Sequence, residues 1–220
     1  MVNNPTEHLV SIPADSIALE GALSIPAQAE GIVLFAHGSG SSRHSPRNNF
    51  VAKVLQSVRL GTLLMDLLTK KEDEVYRTRF DIELLTRRLT EATRWLMHHP
   101  QAKELRVGYF GASTGAAAAL KAATVLGQVI GAVVSRGGRP DLAGPFLSQV
   151  QSPTLLIVGG LDNAVIPLNQ QAYEQIKTEK KLVIVPGATH LFEEPGTLEK
   201  VADLAAQWFL DHLSPRSKEH

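Results

Sequence analysis

The chain has 220 residues, 44% of them hydrophobic, enough for a sizeable core in one domain. Lys plus Arg (22) equals Asp plus Glu (22), which argues against a nucleic-acid binder with its basic face and removes long-range steering toward a charged partner. There is no Cys, so disulfides and thiolate metal sites are excluded; no basic region precedes an apolar run at the start and no stretch suits a bilayer, so a cytoplasmic protein without membrane partners is expected.

In chain order, HLVSIPADSIALEGALSIP (8–26) reads as two extended pieces with a turn around ADS, an antiparallel edge. GIVLFAHG (31–38) follows, a short apolar run too brief for a core helix. Val51, Val54, Leu55 and Val58 have helical spacing, and TLLMDLL (62–68) is again strand-like. TKKEDEVYRTR (69–79) is a charge cluster, read as a solvated loop and first helical turn. Ile82, Leu85, Leu89, Ala92 and Leu96 form a long helical stripe that ends at HHP. LRVGYFG (105–111), GAVVSRGG (131–138), TLLIVGG (154–160) and KLVIVPG (181–187) are further apolar runs, rich in Val, Leu and Ile. Their continuous apolarity predicts strands covered on both faces. DLAGPFLSQVQSP (141–153) has room for about one short helix, and Leu198, Val201, Ala202, Ala205, Trp208 and Phe209 form the last stripe. Strands alternating with helices predict an α/β fold: one doubly wound, mainly parallel sheet over residues 1–213, with no lid domain and a disordered tail at 214–220. Ligands of such sheets sit at the carboxyl ends of the strands.

GASTGAAAAL (111–120) therefore decides the function class. A dinucleotide site needs G-x-G-x-x-G on the first βα turn and an acidic residue about 20 positions on. Here Gly108, Gly111 and Gly115 follow several earlier strands, and the next acid is Asp141. Gly111-Ala-Ser113-Thr-Gly115 matches G-x-S-x-G, between a strand and a helix-forming run. That turn exposes a serine hydroxyl and aims a helix N-terminus at developing negative charge. A serine needs a base, and the expected order is Ser, acid, His. Asp162 lies just past one strand and His190 just past the next. Asp162 would hold the imidazole tautomer while His190 moves the serine proton. HGSGSS (37–42) would offer a backbone N–H, at Ser39 with Gly40 as the rival, to pair with that of Thr114 around an oxyanion. The bland readings are a helix-capping Ser113, a turn residue at Asp162 with Asp66 or Asp141 as the acid, and a His37 that only orders its own loop.

With HGSGSSRHSPRN, GYFGASTG, LIVGGLD and PGATHLFEEPG in place, the chain from about residue 15 to 213 resembles the α/β-hydrolases of the dienelactone-hydrolase-like branch. The resemblance implies Ser113 as nucleophile, Asp162 as acid and His190 as base. It departs from dienelactone hydrolases in having neither their Cys nucleophile nor a Glu in the first loop, so a serine esterase for small carboxylic esters, lactones or thioesters is expected. An acyltransferase on the same triad and a non-catalytic small-molecule binder are the alternatives. Arg136 and Arg139 in SRGGRP could hold a substrate carboxylate or pin loops on acids such as Asp66 or Asp141, and His44 could touch substrate. Glu193 and Glu194 are expected at the start of the last helix. No His/Asp/Glu cluster has metal-ligand spacing, so neither metal nor cofactor is expected.

Overall fold

The computed structural model describes residues 5–214. The expected tail lies outside them, except Ser214, which follows the last helix. Strands β1 (Glu7–Ala14) and β2 (Ile17–Ser24) form an antiparallel hairpin that closes at Ala14 and Ile17. Asp15 takes the left-handed conformation at its tip (φ 52), which Asp tolerates in turns. The remaining strands are β3 (Gly31–Ala36), β4 (Leu60–Met65), β5 (Val107–Ala112), β6 (Ile130–Arg136), β7 (Thr154–Gly159) and β8 (Lys180–Val185). They form one eight-stranded sheet in the order β1-β2-β4-β3-β5-β6-β7-β8. Pairing is antiparallel from β1 to β4 and parallel from there to β8.

The helices are α1 (Pro46–Ser57), α2 (Lys70–Asp73), α3 (Ile82–His98), α4 (Thr114–Leu126), α5 (Ile166–Gln175) and α6 (Thr197–Leu213). Strands β3 to β7 are buried along their whole length, as continuous apolar runs require. Their side chains divide into two cores. One joins Leu89, Leu96 and Leu120 of α3 and α4 to the sheet, with Ala172 of α5. The other joins Val51 and Leu55 of α1 to Val201, Ala205 and Phe209 of α6. Helices thus cover both faces, the doubly wound arrangement of an α/β-hydrolase, and no lid is evident among the described residues. No helix among them is long and apolar enough to cross a membrane.

Several local expectations change. The strand read at 62–68 ends at Met65, leaving Asp66 beyond it. Strand β8 is half-exposed, with Ile184 42% accessible, because it is the sheet's edge. The charged segment contains α2, opened by a reciprocal capping box between Thr69 and Glu72, and then a short 3-10 turn at Tyr76–Phe80. Residues Pro140–Gln149 form 3-10 turns broken at Gly144 (φ 54) rather than one helix. Helix α6 begins at Thr197, so Glu193 and Glu194 lie ahead of it in the loop after β8. Buried Arg88 ties three parts together: it donates to Ala14 O at 2.8 Å and pairs with Asp15 and Glu72, each at 3.1 Å.

Phe209 is fully buried between α6 and the sheet. Phe209→Ala should cost about 3–5 kcal/mol, read as a lower urea midpoint at unchanged slope.

Candidate active site

Strand β5 ends at Ala112 and α4 starts at Thr114, so Ser113 makes the whole turn between them. Its backbone is at φ 50, ψ −121, a region that non-glycine residues adopt only when their surroundings force them. The neighbours do so. A Cβ on Gly111 would lie 2.5 Å from Ala116 Cα, and one on Gly115 would collide with the carbonyl oxygens of Ala36 and His37, the latter at 2.5 Å. Helix α4 therefore packs directly on the end of β3. The Ser113 N–H donates to Arg136 O at 3.3 Å, and its carbonyl accepts from Arg139 N–H at 3.0 Å. The Ser113 side chain makes no capping hydrogen bond to α4, against the bland reading of this residue.

His190 and Asp162 come from the loops after β8 and β7, the two strands at the far end of the sheet. His190 Nδ1 lies 2.7 Å from Asp162 Oδ2, with the Asp162 side chain 9% exposed. The rival acids are engaged elsewhere. Asp66 accepts the Arg43 backbone N–H at 2.7 Å and pairs with its guanidinium, and Asp141 takes both arms of Arg139 at 2.9 and 2.8 Å. That fork raises the Arg139 pKa through its hydrogen bond with Asp141. The loop bearing His190 is held from both sides. Phe192 is buried at φ 56. Glu194 accepts the Thr189 N–H and hydroxyl at 3.0 and 2.6 Å, and these bonds keep its carboxyl below the usual range.

Ser113 and His190 line one cavity of about 290 Å³, together with Ser39, Arg47, Asn48 and Arg136. Ser39 sits at its edge with its N–H donated to Thr114 Oγ1 at 3.0 Å. His37 orders the loop from β3: its Nε2 accepts the Leu67 N–H at 3.0 Å and its Nδ1 is 2.9 Å from Gly38 O. Burial lowers its pKa below the ordinary histidine value. His44 and Arg139 do not line the Ser113 cavity; His44 lines a neighbouring one of about 270 Å³ with His37, Arg43 and Asp66. Arg47 and Asn48 close the HGSGSSRHSPRN stretch and fall in the first turn of α1, but the stretch alone did not assign them to the cavity. Among the described residues, no group of three or more His, Cys, Asp or Glu is placed to hold a metal.

The strand order, the helices on both faces and the strand-to-helix turn at Ser113 define an α/β-hydrolase fold. The chain belongs to the dienelactone hydrolase family, whose profile matches residues 63–213. It is similar to the crystal structure of a dienelactone hydrolase from Anabaena variabilis, with 58% identity, a TM-score of 0.93 and coverage of 96% of this chain and 100% of that one. Est1E from Butyrivibrio proteoclasticus shares the fold (TM-score 0.79) at 16% identity, over 92% of this chain and 98% of that one. A Mycobacterium tuberculosis protein provisionally named a phosphoribosyl transferase is 57% identical over 204 residues. That match covers 93% of this chain and 46% of the relative, so the chain spans about half the length of the curated relatives it matches.

The crowding at Gly115 gives a direct check. Gly115→Ala should destabilise by more than about 3 kcal/mol or prevent soluble expression, because the atoms it would strike are backbone carbonyls and Ala36 is held in the β3–β5 ladder. Thermal unfolding of the purified variant measures it.

Proposed function

We propose that this protein is a serine hydrolase that cleaves small carboxylic esters, lactones or thioesters through an acyl-enzyme on Ser113. The observation that carries this reading is the His190–Asp162 bond at 2.7 Å facing the cavity that Ser113 also lines. Asp162 keeps the proton of His190 on Nδ1, which leaves Nε2 free to accept one. The Ser113 Oγ–H proton passes to Nε2 as Oγ bonds to the substrate carbonyl carbon. The resulting oxyanion takes the N–H of Thr114, at the first residue of α4, and the N–H of Ser39. In the resting enzyme the Ser39 N–H donates to the Thr114 hydroxyl. Exchanging that neutral acceptor for a charged one is favourable, since a charge-assisted hydrogen bond is the stronger. Collapse of the intermediate breaks the ester C–O bond, and the leaving oxygen takes the proton from His190. Water repeats the sequence on the acyl-enzyme. The open cavity suits short acyl chains.

Phosphoribosyl transfer, in the mycobacterial relative's name, is attached to a chain about twice as long, and the Ser113 cavity supports acyl chemistry instead. Transfer of the acyl group to an added alcohol or amine remains the second reading; product partition in their presence separates it from hydrolysis. A binding protein on this fold would turn over no ester and would leave Ser113 unlabelled.

Ser113→Ala should lower ester kcat/KM by at least about 1,000-fold and abolish labelling by a fluorophosphonate probe, with an unchanged unfolding midpoint. Asp162→Asn should keep the fold and lower kcat by about 10,000-fold, because the asparagine amide favours the wrong imidazole tautomer. Asp66→Asn and Asp141→Asn should not reproduce that loss. An ester panel of graded chain length, run on wild type, Ser113→Ala and the three Asp→Asn variants, reads these outcomes.

A further inference from the structure

Asn169 is wholly buried at the end of the first turn of α5, a helix that otherwise buries only Ala172. Its Nδ2 donates to Val165 O and to Gly138 O, each at 3.0 Å. With carbonyls on both sides the amide must turn its nitrogen toward them. Its Oδ1 is then enclosed without a donor. Packing does not account for this residue. Val165 O already accepts the Asn169 backbone N–H at 3.1 Å, so α5 starts without help from the side chain. An enclosed oxygen without a partner is costly, and an apolar side chain would avoid that cost. What the amide adds is the bond to Gly138.

That bond joins two segments of the candidate active site. On one side, α5 is fastened to the acid: the N–H groups of Val165 and Ile166 donate to Asp162 O at 3.0 and 3.1 Å. On the other, Gly138 lies in the loop after β6, between two residues that meet His190 and Ser113. A Cβ on Gly137 would stand 3.5 Å from His190 Nδ1, so this residue backs the edge of the imidazole that bonds Asp162. The Arg139 N–H donates to Ser113 O at 3.0 Å. Among the described residues, no other hydrogen bond connects 137–139 with 162–169. We propose that Asn169 is a positioning residue: its amide holds the turn of Asp162 and the loop beside His190 at a fixed spacing, and so keeps the imidazole aligned on Ser113. This rests on the esterase reading of Ser113, Asp162 and His190. A shift of about 1 Å in such an alignment can lower a rate roughly 100-fold. Asn169 does not line the Ser113 cavity, so the loss falls on the chemical step and not on substrate binding.

The test uses two variants. Asn169→Leu keeps the branching of the side chain and removes both donors. Asn169→Ser has a hydroxyl that can bond Val165 O four residues back but is too short for Gly138 O. Each should lower kcat for a short-chain ester by about 10- to 100-fold, with KM changed less than about twofold. Fluorophosphonate labelling of Ser113 should slow in proportion. The low-field proton resonance of His190 Nδ1, assigned by its absence in His190→Gln, should weaken or vanish in both. Ala172→Gly loosens the same helix three residues further on; it should lower the melting temperature and leave kcat and the resonance in place. Wild-type kcat in either folded variant, an equal fall in Ala172→Gly, or a raised KM in place of the lowered kcat would overturn the proposal. Should Asn169→Leu fail to fold, Asn169→Ser decides by the same readouts. The proton resonance keeps the two readings apart. If wild type neither turns over ester nor labels at Ser113, the esterase reading falls; loss of the resonance in the Asn169 variants still reports the coupling, and its retention refutes it.

Discussion

The structure depends on one forced turn. Ser113 can be held at φ 50 only because α4 is pressed against the end of β3, and that contact exists only because residue 115 has no side chain. The energetic cost of such a backbone is roughly 1–3 kcal/mol, and the buried β3–β5–β6 centre of the sheet supplies far more. The same contact places the start of α4 beside the loop from β3. Thr114 and Ser39 consequently meet across 75 positions of sequence. Strain, helix orientation and the Ser39–Thr114 hydrogen bond are one arrangement seen at three points.

The other half of the candidate site is built differently. Asp162 and His190 stand on loops, and these owe their positions to short-range anchors. The Thr189–Glu194 bonds and the buried Phe192 shape the segment around His190, and Asp162 accepts the Val165 N–H at 3.0 Å just before α5. Glu193 reaches over to Arg47 and so joins the histidine loop to α1 on the far side of the cavity. A solvent-facing ion pair thus links two of the segments that contribute residues to the cavity.

Much of this was legible in the sequence. The buried strands announced themselves as unbroken apolar runs because both of their faces are covered, and the Ser-Asp-His order was visible because each residue follows a strand. What escaped has physical causes. Helix α5 buries only Asn169 and Ala172 fully, so its sequence carries no apolar stripe. The edge position of β8 cannot be inferred from KLVIVPG, since strand order is a tertiary property. Glu193 and Glu194 looked like a helix start by charge, yet one bonds the turn at Thr189 and the other an arginine. Arginines are the hardest case. Arg136 ends β6 and Arg139 follows three residues later in the loop, but Arg139 is paired by its neighbour Asp141 and Arg136 is buried without an acid, a distinction only side-chain geometry makes.

The placement of His190 after the outermost strand has its own consequence. Strand β8 is paired on one side only, and much of it is in contact with water. Such margins open by sub-global fluctuations at lower free energy than the centre of a sheet. Amide hydrogens of β8 would then exchange ahead of those in β5. On warming, the imidazole would drift from its carboxylate while Ser113 stayed poised, so inactivation would begin as a local and reversible event, some degrees below the collapse of the molecule.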